Sequence, residues 1–152
     1  MPLIKDESYI LDVCNKTANT LGIQITNLST TASIPTKCGK ILNGPEYKTR
    51  GMKKNDCLKS FDARITGRIN GWIFAKITVS SGGHQDNVFE EAHIMGEWFV
   101  KYGHPDELYV LLIDTNLASQ FSTIKTKYHG KNILVVNHVE FQQYLLDNCS
   151  SV

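Results

Sequence analysis

The run WIFAKITV places a lysine, Lys76, where every other residue from 72 to 77 is apolar. A charged side chain in such a run costs free energy to bury unless it is paired. Acidic residues flank it along the chain: Asp62 opens the preceding β-prone run, and Glu90 and Glu91 follow a polar glycine loop. Two carboxylates around a divalent cation, with a lysine beside them, form a centre that can cleave a phosphodiester bond.

Each of these residues also has a simpler explanation. Lys76 would be solvated if its strand lay at a sheet edge and its side chain pointed to water. Glu90 and Glu91 occupy the first turn of a predicted helix, where the helix dipole alone favours carboxylates.

The loop from Thr78 to Asn87 is rich in small and polar residues, which allows backbone N–H groups to approach a phosphate. Within this loop and at the start of the helix we predict DNA contacts by Ser81, His84, Gln85 and Asn87.

Residues 60 to 115 resemble the PD-(D/E)XK nuclease superfamily, and within it the type II restriction endonucleases. The usual family pattern is an acid on one strand and acid-x-Lys on the next, whereas position 74, two residues before Lys76, is Phe. Some family members take the missing acid from the helix that follows, and Glu90 lies 14 residues after the lysine, at the matching place. The stretch KITVSSGGHQDNVFE is also similar to those members in Thr78, Ser81 and Gln85.

The resemblance implies a restriction-endonuclease-like fold and Mg²⁺-dependent hydrolysis of double-stranded DNA. It implies Asp62, Lys76 and Glu90 as catalytic residues, and Asp62 and Glu90 as metal ligands, with Glu91 kept as the alternative ligand because of its place on the helix. On a helical wheel Glu91 lies about 60° from the centre of the helix's apolar stripe, and Glu90 about 160°. Rotation therefore favours Glu91, whereas the spacing from Lys76 favours Glu90, which we rank first. Cutting both strands of a symmetric site requires two centres related by a two-fold axis, so we also expect a homodimer.

The charge distribution along the chain favours a polyanionic partner. Net charge is +1, but the segment from Lys37 to Arg68 holds nine basic residues against three acids and is therefore +6. Such a segment is either a solvated loop face or an electrostatic footprint for a polyanion. Under the second interpretation we predict that Lys53, Lys54 and Arg68 contact DNA.

The elements that must position these residues can be read from local patterns. Apolar spacing predicts a first helix from about Asp6 to Leu21, and the segment from 23 to 55, rich in Thr, Ser, Gly, Pro and Lys, is predicted to be loop or short pieces of structure. Two β-prone runs around "NG" predict an antiparallel hairpin from residue 62, followed by a helix from about Asn87 to Lys101. Beyond it, ELYVLLIDT and NILVVN read as buried strands, and SQFSTIKTKYHG and VEFQQYLLDN as helices. This alternation predicts an α/β fold with a mixed central β-sheet flanked by helices.

Composition and the remaining motifs limit the other possibilities. The 152 residues, 41% apolar and 20% charged, fit one domain spanning the whole chain. We expect a cytoplasmic protein with reduced thiols and no membrane association, because we find no signal peptide, no apolar run long enough to span a bilayer and no paired cysteines. The five histidines show no metal-ligand spacing, and Asp114 is better explained as a helix cap or turn residue than as a ligand position. Two other functions stay open: a non-catalytic DNA-binding or assembly subunit in which Phe74 marks a lost acid, and a doubly wound small-ligand or signalling domain.

Overall fold

The computed structural model describes residues 7–29, 32–49, 56–78 and 85–149, with the backbone alone for 47–49 and 85–87. The described helices are Glu7–Asn19 (α1), Gly44–Thr49 (α2), Gln85–Tyr102 (α3), Ala118–Tyr128 (α4) and His138–Cys149 (α5). The described strands are Ile23–Asn27 (β1), Ile34–Pro35 (β2), Ile41–Leu42 (β3), Ala63–Gly67 (β4), Gly71–Thr78 (β5), Leu108–Thr115 (β6) and Ile133–Val136 (β7).

Five strands form one mixed sheet in the order β1-β4-β5-β6-β7. The β1–β4 and β4–β5 pairs are antiparallel, whereas β5–β6 and β6–β7 are parallel. Parallel neighbours need a crossover, and here α3 and α4 provide the two crossovers. The predicted mixed central sheet flanked by helices is confirmed. Strands β2 and β3 pair separately as a short antiparallel ribbon.

The two faces of the sheet bury separate hydrophobic clusters. Alternate residues of β5 point to opposite faces, so Ile73 and Ala75 join the cluster formed with α1 and α5, while Phe74 joins the cluster formed with α3 and α4. Strand β6 is buried on both faces, as its continuous apolar run predicts. By the same alternation Lys76 shares the face of Phe74 and lies under α3.

The predicted hairpin is confirmed, although its turn is longer than the "NG" pair. Residues 68–70 connect the strands, and Gly71 already belongs to β5. A Cβ atom on Gly71 would lie 2.0 Å from the Leu108 carbonyl oxygen, so glycine is required for the close approach of β5 and β6.

Two expectations need correction. The segment after α1 consists of loop and short pieces of structure, as predicted, but it is not simply exposed to solvent, because Ile23–Asn27 forms the edge strand β1 and pairs with β4 along its whole length. Its buried Ile23 and Ile25 alternate with exposed neighbours, so pairing and burial of one face outweigh the loop-like composition around it. The edge-strand explanation of Lys76 is wrong, because β5 lies between β4 and β6.

Within the described residues, no helix combines the length and the apolar character that crossing a bilayer requires.

Candidate active site

Lys76 lies beside Glu91, at the contact between β5 and α3. Its Nζ atom is 3.3 Å from Glu91 Oε1, and the two side chains are 25% and 27% exposed. Lys59 approaches the same carboxylate from the other side, with Nζ 3.7 Å from Glu91 Oε2. The partly buried Lys76 is thus paired, which explains how an otherwise apolar strand accommodates a lysine.

Asp62 reaches the same region from the neighbouring strand. Its backbone N–H donates to the Ile73 carbonyl oxygen at 2.9 Å, and its Oδ2 accepts the backbone N–H of Ala75 at 2.7 Å. The register pairs Ala63 with Ile73, so Asp62 does not lie directly opposite Lys76. Its carboxylate instead contacts the backbone of the residue immediately before the lysine.

The surroundings of Asp62 disfavour its charged form. Burial raises the pKa of this carboxyl to about 6, above its ordinary value of 3.8. The Ala75 N–H and the Lys76 ammonium lower the pKa, while the negative charges of Glu7 and Glu91 raise it further. A bound cation would relieve this unfavourable environment, and a perturbed carboxyl beside a charged cluster is a recurrent property of functional sites.

Helix rotation distinguishes the two glutamates. Glu90 is exposed, whereas Glu91 is partly buried and paired with both lysines. Successive helical residues are about 100° apart, and the buried Phe89 and Ala92 turn the Glu91 side of α3 toward the sheet. The geometry therefore favours Glu91 over Glu90, the residue that spacing ranked first.

The donor set has the chemistry that Mg²⁺ requires, with only two protein ligands. Mg²⁺ is a hard cation commonly bound through one or two carboxylates, with water and substrate phosphate completing its shell. Asp62 and Glu91 would supply these oxygens. Across the described ranges, no three His, Cys, Asp or Glu side chains are grouped closely enough to hold a metal by themselves.

Of the predicted DNA contacts, Arg68 is the one whose side chain the structure describes, and it does not lie at this cluster. Arg68 lies in the turn at the other end of the β4–β5 hairpin, about 20 Å along the strand from Asp62. Its guanidinium donates to the Cys149 carbonyl oxygen at 3.2 Å. Gln85 and Asn87 lie in the first turn of α3, with only their backbone described. Outside the described residues are Lys53, Lys54, Ser81 and His84.

Sequence reasoning missed Lys59 and Glu7 as members of the site. Lys59 was counted only as one charge of the basic segment, and Glu7 only as part of the first helix. The one local signal is that Lys59 stands three residues before Asp62. Its pairing with Glu91 depends on how α3 packs on the sheet, which the chain pattern does not contain.

Asp114 and His138 form a separate contact on the α1/α5 side. Asp114 Oδ1 accepts the backbone N–H of His138 at 2.9 Å, and its second oxygen contacts Nδ1 of the His138 ring. His138 is the first residue of α5, so Asp114 accepts an N–H at the start of a helix, although it lies within β6 and is neither the residue that flanks a helix nor a turn residue as predicted. His129 has a comparable structural role, because its Nδ1 accepts the Val135 N–H at 3.0 Å.

Comparison of the chain with protein-family models, with curated proteins and with solved structures gave no match. The fold class of the chain is α/β, with a mixed five-stranded sheet. Any role for the cluster of Asp62, Lys76 and Glu91 rests on its own geometry and chemistry.

Proposed function

We propose that this protein is a Mg²⁺-dependent endonuclease that hydrolyses phosphodiester bonds of double-stranded DNA, as a homodimeric enzyme of the type II restriction class with a restriction-endonuclease-like fold. The observation that carries the proposal is that Asp62, immediately before β4, lies close to Lys76 on β5 and Glu91 on α3. An acid at the start of one strand, a lysine on the next and an acid on the following helix are the groups that the resemblance leads us to expect. The environment of Asp62 also favours a bound cation.

Each residue of the cluster then has a defined role. Asp62 and Glu91 would hold the metal, which would supply Lewis acidity toward the scissile phosphate and lower the pKa of a water nucleophile. Lys76 offsets the charge that develops on the phosphate and helps to orient the water. Because Lys76 is only 25% exposed, its charge acts at a lower effective dielectric than that of a fully solvated lysine.

Glu91 changes partners in this scheme. Without substrate, Lys76 and Lys59 neutralise its carboxylate. A DNA phosphate attracts both ammonium groups, which leaves the Glu91 oxygens available to a cation. Metal and substrate therefore favour each other's binding at this cluster.

A non-catalytic DNA-binding or assembly subunit is the alternative, and Phe74 is the observation that favours it. Phe74 is 1% exposed and packs in the cluster under α3 and α4, so no acid occupies the usual family position on the strand. Under this alternative the Lys76–Glu91 pair only stabilises the contact between β5 and α3.

Nicking of supercoiled plasmid DNA, with Mg²⁺ and then with Ca²⁺, tests the proposal. We expect cleavage with Mg²⁺ that Asp62→Ala abolishes and that Lys76→Ala slows about 10²- to 10³-fold, as loss of one transition-state stabiliser does. Asp12→Ala and Lys16→Ala, exposed positions on α1, are matched controls and should cut normally. Duplex binding without cleavage by the wild-type protein would select the non-catalytic alternative, and neither binding nor cleavage would overturn both.

A further inference from the structure

Two cysteine residues, Cys38 and Cys57, lie next to the buried residue Thr36. Cys38 is exposed, and its Sγ lies 3.2 Å from Thr36 Oγ1. Cys57, partly buried, faces Thr36 across an isolated antiparallel bridge. Thr36 itself is fully buried.

The backbone around the bridge brings these side chains onto one face. The Leu58 N–H donates to the Pro35 carbonyl oxygen and the Lys37 N–H to that of Asp56, both at 2.9 Å. Bonds at these flanking positions make Thr36 and Cys57 a non-hydrogen-bonded pair. In such a pair the Cα atoms are about 4.5 Å apart and the side chains lie next to each other.

The turn that carries Cys38 is held firmly. The Thr36 N–H donates to the Lys40 carbonyl oxygen at 2.8 Å, which folds Cys38 back toward Thr36. Helix α3 anchors the same turn, because Trp98 Nε1 donates to the Thr36 carbonyl oxygen at 2.8 Å and the Tyr102 hydroxyl donates to that of Lys37 at 2.8 Å. The Cys38 thiol is thus held beside the Thr36 hydroxyl, and Cys57 is held opposite Thr36 on the neighbouring segment.

We propose that Cys38 and Cys57 form a reversible dithiol site that reacts with low-molecular-weight disulfides and closes to an intrachain disulfide. A disulfide requires Cα atoms about 4.4–6.8 Å apart. Cys57 lies opposite Thr36 across the narrow pair, and the turn folds Cys38 back onto the Thr36 side chain, so both cysteines adjoin the same residue. Closure exchanges the contact of Cys38 with Thr36 for a bond to Cys57.

The two thiols have different roles in the exchange. The hydrogen bond with Thr36 lowers the pKa of the exposed Cys38, which makes it the first nucleophile. Burial raises the pKa of Cys57. Cys14 is inert by comparison, because burial raises its pKa to about 12.

The reaction balances with glutathione disulfide as the oxidant. The Cys38 thiolate attacks one sulfur of glutathione disulfide, breaks its S–S bond and releases one glutathione thiolate. Cys57 then loses its proton and attacks Cys38 Sγ, which forms the protein disulfide and releases the second glutathione. Two protein thiols are oxidised, one glutathione disulfide is reduced to two thiols, and a small thiol reverses the sequence.

The test treats the native full-length protein with glutathione disulfide, blocks remaining thiols by alkylation and analyses the product by mass spectrometry and peptide mapping. We expect loss of two hydrogen atoms and a cross-link between the peptides of Cys38 and Cys57. Cys57→Ser should stop at a mixed disulfide that adds one glutathione to Cys38. Cys149→Ser, a buried cysteine outside the pair, is the control and should close like the wild type.

Any of three results would overturn the proposed dithiol site. The wild-type protein could accumulate the Cys38 mixed disulfide as fully as Cys57→Ser does. Its peptide map could instead join a different pair of cysteines, or show no reaction of the native thiols. The wild-type map needs no substitution, so it decides the question even if a variant fails to fold.

Discussion

Asp62 should make the folded protein less stable as the pH rises through its titration range, and Asp62→Asn should remove this effect. The folded-state pKa of about 6 lies above the ordinary 3.8, so the unfolded chain releases the proton first. The stability contributed by protonated Asp62 is therefore complete below about pH 3.8 and is lost as the pH passes about 6. Asparagine stays neutral and keeps an oxygen to accept the Ala75 N–H.

The size of the effect follows from the two pKa values. Their difference corresponds to about 3 kcal/mol at most in the free energy of unfolding. We expect Asp62→Asn and wild type to be nearly equal in stability at about pH 4, with the variant gaining up to about 3 kcal/mol by about pH 7.5. Using the difference between the two proteins cancels the titration of carboxylates that both share.

Urea unfolding followed by the fluorescence of Trp72 and Trp98 measures this difference across the pH series. Asp12→Asn, the same substitution at an exposed position of α1, is the control for replacing a carboxyl group by an amide. Adding Ca²⁺ at about pH 7.5 should stabilise the wild type and leave Asp62→Asn unchanged, because a ligand that binds only the folded state shifts the equilibrium toward it.

A stability difference that stays constant from about pH 4 to pH 7.5 would refute the reasoning. It would mean that Asp62 carries its charge in the folded protein without cost. Glu91→Gln gives an independent check. Removing this nearby negative charge should move the loss of stability that Asp62 causes to a lower pH than in the wild type.

Three further predictions concern the proposed nuclease. Glu91→Gln should abolish plasmid nicking with Mg²⁺, while Glu90→Gln should keep most of it, and the opposite ranking would return the role to Glu90. Lys59→Ala should slow cleavage only about two- to tenfold, since the Lys59 side chain is 64% exposed and exposed ion pairs are weak. A loss as large as that of an essential residue would contradict this. Replacing Lys53 and Lys54 together with Ala should reduce the slope of log affinity against log salt for duplex DNA by about 2, and an unchanged slope would exclude them as phosphate contacts.

Local sequence patterns predicted those strands whose formation depends on neighbouring residues in the chain. The continuous apolar run of β6 and the β4–β5 hairpin are visible in the chain because burial on two faces and a tight turn leave clear signals. Strand β1 left almost none, because Ile23 and Ile25 give only two alternations within a polar segment. What makes that segment a strand is its pairing with β4, an interaction between distant parts of the chain.

The site was predictable to the same extent. Asp62 and Lys76 lie on one hairpin, so their proximity followed from a local element. Which glutamate faces Lys76 depended on the rotation of α3 against the sheet, and the helical wheel indicated Glu91, the residue that pairs with Lys76, whereas the spacing indicated Glu90. Lys59 was beyond prediction, because its approach to Glu91 joins two segments that only the packing of α3 brings together.

The apolar residue at position 74 and the position of the acidic partner of Lys76 on α3 have one physical cause. Phe74 and Lys76 share a face of β5, and Phe74 is buried where α3 and α4 cover the sheet. The Lys76 ammonium lies 5.0 Å from the centre of the Phe74 ring, so the ring forms part of the lysine's apolar surroundings. A carboxylate at position 74 would be buried in that cluster and would carry a large desolvation cost. The covering helix α3 can instead present an acid at the rim of the cluster, where water still reaches it, and Glu91 occupies that position at 27% exposure. An acid supplied by α3 is thus the arrangement that keeps both a close-packed core and a charged partner for Lys76.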